Sequence, residues 1–241
     1  MSYFADIAAG AIQYGGRTEF CANLQPYVGQ SGDKIAQAII DSSDDTPDGY
    51  DRNIIASTTV DPNSAGRPWN FQVCTEYGWF QTPSESNPMR SQRLKVPYWL
   101  DYCNEVFQGL DMTDRPQAKQ TEISQGGYDT AGTNIFFGNG SEDPWRWVTL
   151  QYPNPQLGIV TVVSECNDCG HCAELYTPSD KDPDTLRETR VVVARWIDEL
   201  LNGKIPSEEA TTSSTITDEE IDGYFNLVKE MEVRTSVHFK Q

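Results

Sequence analysis

Basic residues are scarce in this chain: 18 lysines and arginines stand against 36 aspartates and glutamates, a formal net charge of −18 and a sequence pI near 4.3. Nucleic-acid binding runs on clustered cations that neutralise phosphates, so that balance argues against a nucleic-acid partner. An acidic surplus first of all keeps a protein solvated, and secondarily suits work in an acidic lumen. Long apolar runs are also missing. None approaches the roughly twenty residues a membrane-spanning helix needs. Histidine is nearly absent, with two in 241 residues, and the segment before Arg17 has neither the cations nor the apolar core of a secretory leader. The expectation at Met1 is therefore an internal start or an incomplete gene model. The last absence concerns chemistry: no Gly-x-Ser-x-Gly occurs. Ser31, in Gly29-Gln-Ser-Gly-Asp33, comes nearest, but its second glycine is displaced by one and Pro26 spoils the stretch before it as a central strand, so Ser31 reads as a turn and cap residue.

Cysteine is comparatively plentiful. Six (21, 74, 103, 166, 169, 172) suit an oxidising compartment, and they allow fifteen complete pairings. The length permits one large domain or two small ones.

Periodicity places amphipathic helices over residues 3–14, stopped by Gly15-Gly16, and over 33–42, with Asp33 able to cap the second. Residues 41–49 form an acidic, turn-rich loop without EF-hand spacing. Residues 69–80 carry Trp69, Phe71, Tyr77, Trp79 and Phe80, a density that first suggests core and second the wall of a pocket. Thr75 and Glu76 are its polar exceptions. A helix over 96–107 places Trp99, Leu100, Cys103 and Phe107 on one side, so that Cys103 faces inward and can bridge to Cys74 or Cys21. A short helix is expected over 115–124. The clearest helix is 185–202, with Leu186, Val192, Val193, Trp196, Ile197, Leu200 and Leu201 at spacings of three and four, ended by Gly203 and packed on a sheet. Residues 204–217 read as a linker, and 217–233 as a last helix capped at Thr217 or Asp218. There are no internal repeats.

Between Asn134 and Leu175 the chain reads as a strand (Ile135–Phe137), a Gly/Asn/Pro turn through Trp145, a second strand (Ile159–Val163), and a loop bearing Gly170-His171-Cys172. Each strand delivers one titratable side chain past its carboxyl end, Asp143 after the first and His171 after the second. In open α/β sheets that edge collects catalytic groups. An Asp followed later by a lone His matches the second half of the order Ser…Asp…His used by α/β-hydrolases. His238, four residues from the end, is a terminal histidine of no expected function, which leaves His171 as the one imidazole placed to act as a base. Ser141 lies too near Asp143 in a tight turn to be the nucleophile. Asn139-Gly140-Ser141 fits a glycosylation sequon, expected unused because a glycan there would block Asp143.

The segments 134–145, 170–175 and 69–80 together resemble the serine carboxypeptidase family that includes lysosomal Pro-X carboxypeptidase, dipeptidyl peptidase II and thymus-specific serine protease, the last most closely. The resemblance covers about residues 1–203. It implies an α/β fold: the C-terminal part of an α/β-hydrolase fold with the remainder of a helical cap, divided as cap over 1–125, closing strands and helix over 126–203, and a tail over 204–241. It implies a serine-type exopeptidase, cleaving near proline as a carboxypeptidase or dipeptidyl peptidase, in a secreted or lysosomal setting, with no cofactor. Asp143 and His171 become members of a triad whose serine lies upstream of this chain. Glu76, Thr75, Trp79 and Trp145 become substrate-binding candidates, Glu76 for a peptide amino terminus. The expected partners are a peptide substrate and an amino-terminal fragment carrying the serine, with neither nucleic acid nor membrane. The competing expectation is an inactive truncated or split module that binds peptide or the complementary fragment. A third, a metal or redox site on Cys166-x-x-Cys169-x-x-Cys172 with His171, is the weakest.

Overall fold

The computed structural model describes residues 2–44, 46–86, 88, 90–204 and 216–238. Nine α-helices and two strands occur among them: α1 Ser2–Gln13, α2 Arg17–Leu24, α3 Gly32–Asp41, α4 Arg52–Ile55, α5 Gly66–Gln72, α6 Val96–Val106, α7 Ala118–Gln125, β1 Phe136–Gly140, β2 Val160–Ser164, α8 Asp184–Leu201 and α9 Asp218–His238. They form two compact units, residues 1–9 with 22–131 and residues 10–21 with 132–241. Residues 10–21 thus group with the carboxyl-terminal unit.

The first unit is helical. Its core gathers Cys74, Tyr102, Cys103, Val106 and Phe107, with Ile55, Phe80, Trp99 and Met112 packed against it. Cys74 and Cys103 are joined as a disulfide, while Cys21 is free and exposed. The buried stripe of α6 is thus turned toward Tyr102 and Val106, away from the expected Leu100. The aromatic stretch departs further from expectation: Trp69, Phe71 and Trp79 are about two-fifths exposed, and Cys74 and Thr75 are the buried members. The disulfide and α6 fill the interior, so the rings stack on one another instead, Tyr77 on Trp79 at 4.7 Å. Ser31 holds the N-cap position of α3 in extended conformation without a side-chain bond, and Asp33 sits inside the first turn rather than capping, because the chain is already helical at Gly32. A carboxylate there still favours the helix amino terminus.

The second unit is built on a parallel pair, Phe136↔Val160 through Gly140↔Ser164. Both strands run later than the sequence suggests: Gly138, Asn139 and Gly140 belong to β1 and not to the turn. Helix α8 packs on this pair as expected. Ser164 Oγ donates to Thr189 Oγ1 at 2.8 Å, and Phe136 meets Trp196 edge to face at 5.6 Å. Helix α9 begins with a reciprocal cap: Thr217 N donates to Glu220 Oε2 at 3.0 Å and Glu220 N to Thr217 Oγ1 at 3.3 Å. Its Ile221 and Phe225 bury against Val191 of α8, and Arg187 lies over the Phe225 ring. Residues 205–215, most of the expected linker, lie outside the described residues.

Candidate active site

The site forms where three backbone segments of the second unit meet: the end of α1, the turn after β1 and the loop after β2. Past its last paired residue, β1 is tied to the other loop by Ser141 N to Ser164 O and Glu142 N to Cys169 O, both 3.0 Å. Two glycines allow the approach. A Cβ on Gly140 would stand 2.2 Å from Cys169 O and 2.3 Å from Gly170 O; one on Gly170 would stand 2.4 Å from Gln13 O and 2.6 Å from Gly15 N. Ordinary side chains cannot enter such spaces.

Asp143 is set by that turn. It is 5% exposed, and its Oδ1 caps the single helical turn Pro144–Val148 by accepting from Trp145 N at 2.8 Å. Its other oxygen, Oδ2, lies 2.7 Å from His171 Nδ1. A carboxylate oxygen only accepts hydrogen bonds, so in a contact with one Nδ1 is the donor. His171 is held from behind, its N–H donating to Gln13 O at 2.5 Å. Its side chain stays 38% exposed, with the Tyr14 ring edge-on at 6.5 Å. The imidazole opens on a cavity of about 330 Å³ whose walls include Tyr14, Asn167, Lys181, Asp182 and Arg190.

The remaining candidates divide between the units. Trp145 belongs with the pair, its Nε1 donating to Gln13 Oε1 at 2.9 Å. Thr75, Glu76 and Trp79 belong to the first unit. Thr75 is buried, its hydroxyl donates to Phe71 O at 2.7 Å, and its carbonyl accepts from Gln117 N. Glu76 is half-buried and Trp79 exposed. Ser141 Oγ donates to Cys166 O at 3.0 Å and accepts from Cys166 N at 3.2 Å, a structural use of the hydroxyl. Asn139 is 3% exposed and accepts from Thr149 Oγ1, so its amide is closed to a glycan by burial.

The sulfurs of Cys166 and Cys169 lie within disulfide distance of each other. Among the described residues no group of three or more His, Cys, Asp or Glu is arranged to hold a metal. Cys172 is a free thiol. Burial pushes its pKa up, and the negative charges of Glu174 and Asp143 add to that.

Sequence reasoning overlooked Gln13, Arg17 and Arg190. Arg17 bridges both loops, its Nε donating to Glu142 Oε2 at 2.8 Å and its Nη2 to Asn167 Oδ1 at 3.1 Å; the carboxylate of Glu142 raises the guanidinium pKa further. It is the first cation in an acidic chain, which was a readable signal. Arg190 was readable as a charge inside the apolar stripe four residues after Leu186. Gln13 acts mainly through its carbonyl, which no side-chain pattern reports.

Among relatives, a probable serine protease of Arabidopsis thaliana is 36% identical over 126 residues, 52% of this chain and 25% of its own length. The thymus-specific serine protease of Mus musculus is 28% identical over 148 residues, 60% of this chain and 28% of its own. A probable extracellular serine carboxypeptidase of Arthroderma benhamiae is 25% identical over 162 residues, 60% of this chain and 22% of its own. The chain thus spans about a quarter of the length of the curated relatives it matches. No solved structure matches significantly. The serine carboxypeptidase S28 model matches residues 20–193, well over half of the chain, so this chain belongs to that family of serine peptidases, whose fold is of the α/β-hydrolase type.

Proposed function

We propose that this chain supplies the base and its orienting acid to a serine-type exopeptidase whose nucleophile lies on polypeptide outside these 241 residues. One observation carries the reading: the buried Asp143 carboxylate meets His171 Nδ1 at 2.7 Å, and His171 lines an open cavity. In the reaction the serine Oγ bonds to the scissile carbonyl carbon as Nε2 of His171 takes the hydroxyl proton. The C–N bond then breaks and the same proton passes to the leaving amine. Asp143 holds the ring in the required tautomer and stabilises the imidazolium formed in between. The outer edges of β1 and β2 would pair with strands of the serine-bearing polypeptide. Trp145 beside the dyad is the proposed peptide contact of the second unit, and Glu76 and Trp79 are proposed as peptide contacts of the first unit taken by itself. Cleavage near proline in a secretory or lysosomal lumen is the proposed setting; a relative named as extracellular and the cysteine content support it.

A second reading, an inactive module that binds peptide or its complementary fragment, draws on the absence of Gly-x-Ser-x-Gly from the sequence. A chimera separates the two, with residues 1–241 replacing the corresponding part of the mouse thymus-specific relative. Labelling by a fluorophosphonate probe and peptide hydrolysis are expected in the chimera, no labelling in the chain alone, and a loss of hydrolysis of about 10⁴ in D143N and about 10⁶ in H171A. A folded chimera that neither labels nor cleaves favours the binding module. An adduct on Ser31 of the isolated chain overturns the assignment of the nucleophile.

A further inference from the structure

Arg190 is 3% exposed on the inner side of α8, a place where arginine is rare unless its donors are used. Its Nη1 donates to Glu174 O at 2.7 Å and also to Tyr176 O; its Nη2 donates to Ala173 O at 2.9 Å. Asp182 Oδ2 lies 3.4 Å from Nη2 and supplies the counter-charge. Three carbonyls of four consecutive residues thus converge on one guanidinium, and those residues form the turn that begins two positions after His171. Between them stands Cys172, the residue with φ +55°. A cysteine adopts that left-handed backbone only where its surroundings hold it there.

Helix α8 is anchored at the same level on its other contact. Thr189, the neighbour of Arg190, accepts from Ser164 Oγ at the end of β2 and donates to Thr185 O at 2.9 Å. One helical turn therefore ties the strand that leads into the His171 loop to the turn that leaves it. A planar guanidinium fork spreads its donors over separate nitrogens in fixed directions and so reaches carbonyls that lie apart, whereas the three donors of an ammonium group all leave one nitrogen.

We infer that Arg190 is a positioning residue for His171: with Asp182 it fixes the turn Ala173–Tyr176, and that fixed turn holds Cys172 left-handed and aims the imidazole at Asp143. This deepens the proposed peptidase role and rests on it only for its consequence in catalysis, because the geometry itself is testable without turnover.

The test is imidazole ¹⁵N spectroscopy of the full chain, which reports the tautomer of His171 and requires no serine. The wild-type chain is expected to show the Nδ1–H form, and R190Q to lose it for the mixture typical of a free imidazole while far-UV circular dichroism keeps the helix content. R190K is expected to lose most of the Nδ1–H form as well, since it keeps the charge but not the fork. D182N leaves the carbonyl contacts in place and is expected to fold, with a smaller loss; it decides the matter if both Arg190 variants unfold. An unchanged tautomer in any folded variant overturns the inference, as does a wild-type chain in the Nε2–H form. Failure of the chimera to cleave peptide alongside the expected tautomer changes would instead refute the peptidase reading alone.

Discussion

Replacing Gly170 by alanine probes the junction that carries His171. The new Cβ would stand 2.4 Å from Gln13 O and 2.6 Å from Gly15 N, both backbone atoms, where ordinary contact begins at 3.4 Å. The loop and the end of α1 must therefore separate by about 1 Å, and neither side can yield by rotating a side chain. Crowding of this kind costs about 1–3 kcal/mol. The same displacement breaks the bond from His171 N–H to Gln13 O, for about 1 kcal/mol more. The expected loss is about 2–4 kcal/mol, roughly a 10 °C fall in the melting midpoint of the second unit. Gly10→Ala is the control. It lies inside α1 with nothing within 4 Å of its added Cβ, so it should stabilise by up to about 1 kcal/mol through helix propensity. The assay is thermal unfolding followed by circular dichroism, with the imidazole ¹⁵N signal of His171 recorded below the midpoint. A G170A chain that melts with the wild type and keeps the Nδ1–H form would refute the claim that this close approach positions the base.

Three other outcomes follow from local electrostatics. Iodoacetamide at pH 8 should modify exposed Cys21 well before Cys172, whose thiol is held above its ordinary pKa by burial and by Glu174 and Asp143; peptide mapping that found Cys172 modified first would contradict this. The carboxyl of Glu220 is pulled down to about 2, chiefly by the Arg195 guanidinium and then by the Thr217 N–H. Its contribution is present above the ordinary value of 4.5 and lost as pH falls toward 2, so the protection factors of the amides at the start of α9, which remove the intrinsic pH dependence of exchange, should fall across that window and remain flat from pH 5 to 7. Burial, followed by the neighbouring Tyr98, pushes the Tyr102 hydroxyl up to about 12. The neutral form is the favoured one, so its share of stability is complete below pH 10 and lost between 10 and 12; ultraviolet titration should show one late tyrosine that ionises early in a chain unfolded by denaturant.

Asp143 and His171 were legible because strand, Gly/Pro turn and lone histidine are local patterns, each strand ending where a side chain is delivered. Helix α8 was legible from its apolar stripe. The true ends of β1 were not. Gly138, Asn139 and Gly140 have poor strand propensity, and they are extended because Val162, Val163 and Ser164 pair with them from outside the local sequence. The burial of the aromatic segment was misjudged for a similar reason: Cys74 could pair with several cysteines, and its bridge to Cys103 decides which residues line the core. Arg190 escaped because a charge in an apolar stripe is normally discounted, and only the three-dimensional path of residues 173–176 shows what it serves.

The dyad does not depend on a large sheet. Two strands set the register, but the positions of Asp143 and His171 are fixed beyond the last paired residue, by three backbone closures and by the side chains that brace them. Arg17 also spans the two loops, yet its guanidinium is partly exposed and shares its contacts with water, so its ion pair with Glu142 ranks below the buried closures. Those closures are short, are dry on the Gly140 and Gly170 sides, and have no rotamer through which to relax. Burial also acts on Asp143, whose two oxygens are both engaged, one by Trp145 N–H and one by His171, so turning the carboxylate away would break a cap and a second hydrogen bond together. Sequence changes across the exposed acidic surface should therefore leave the site unmoved, whereas adding one methyl group at its glycines should not.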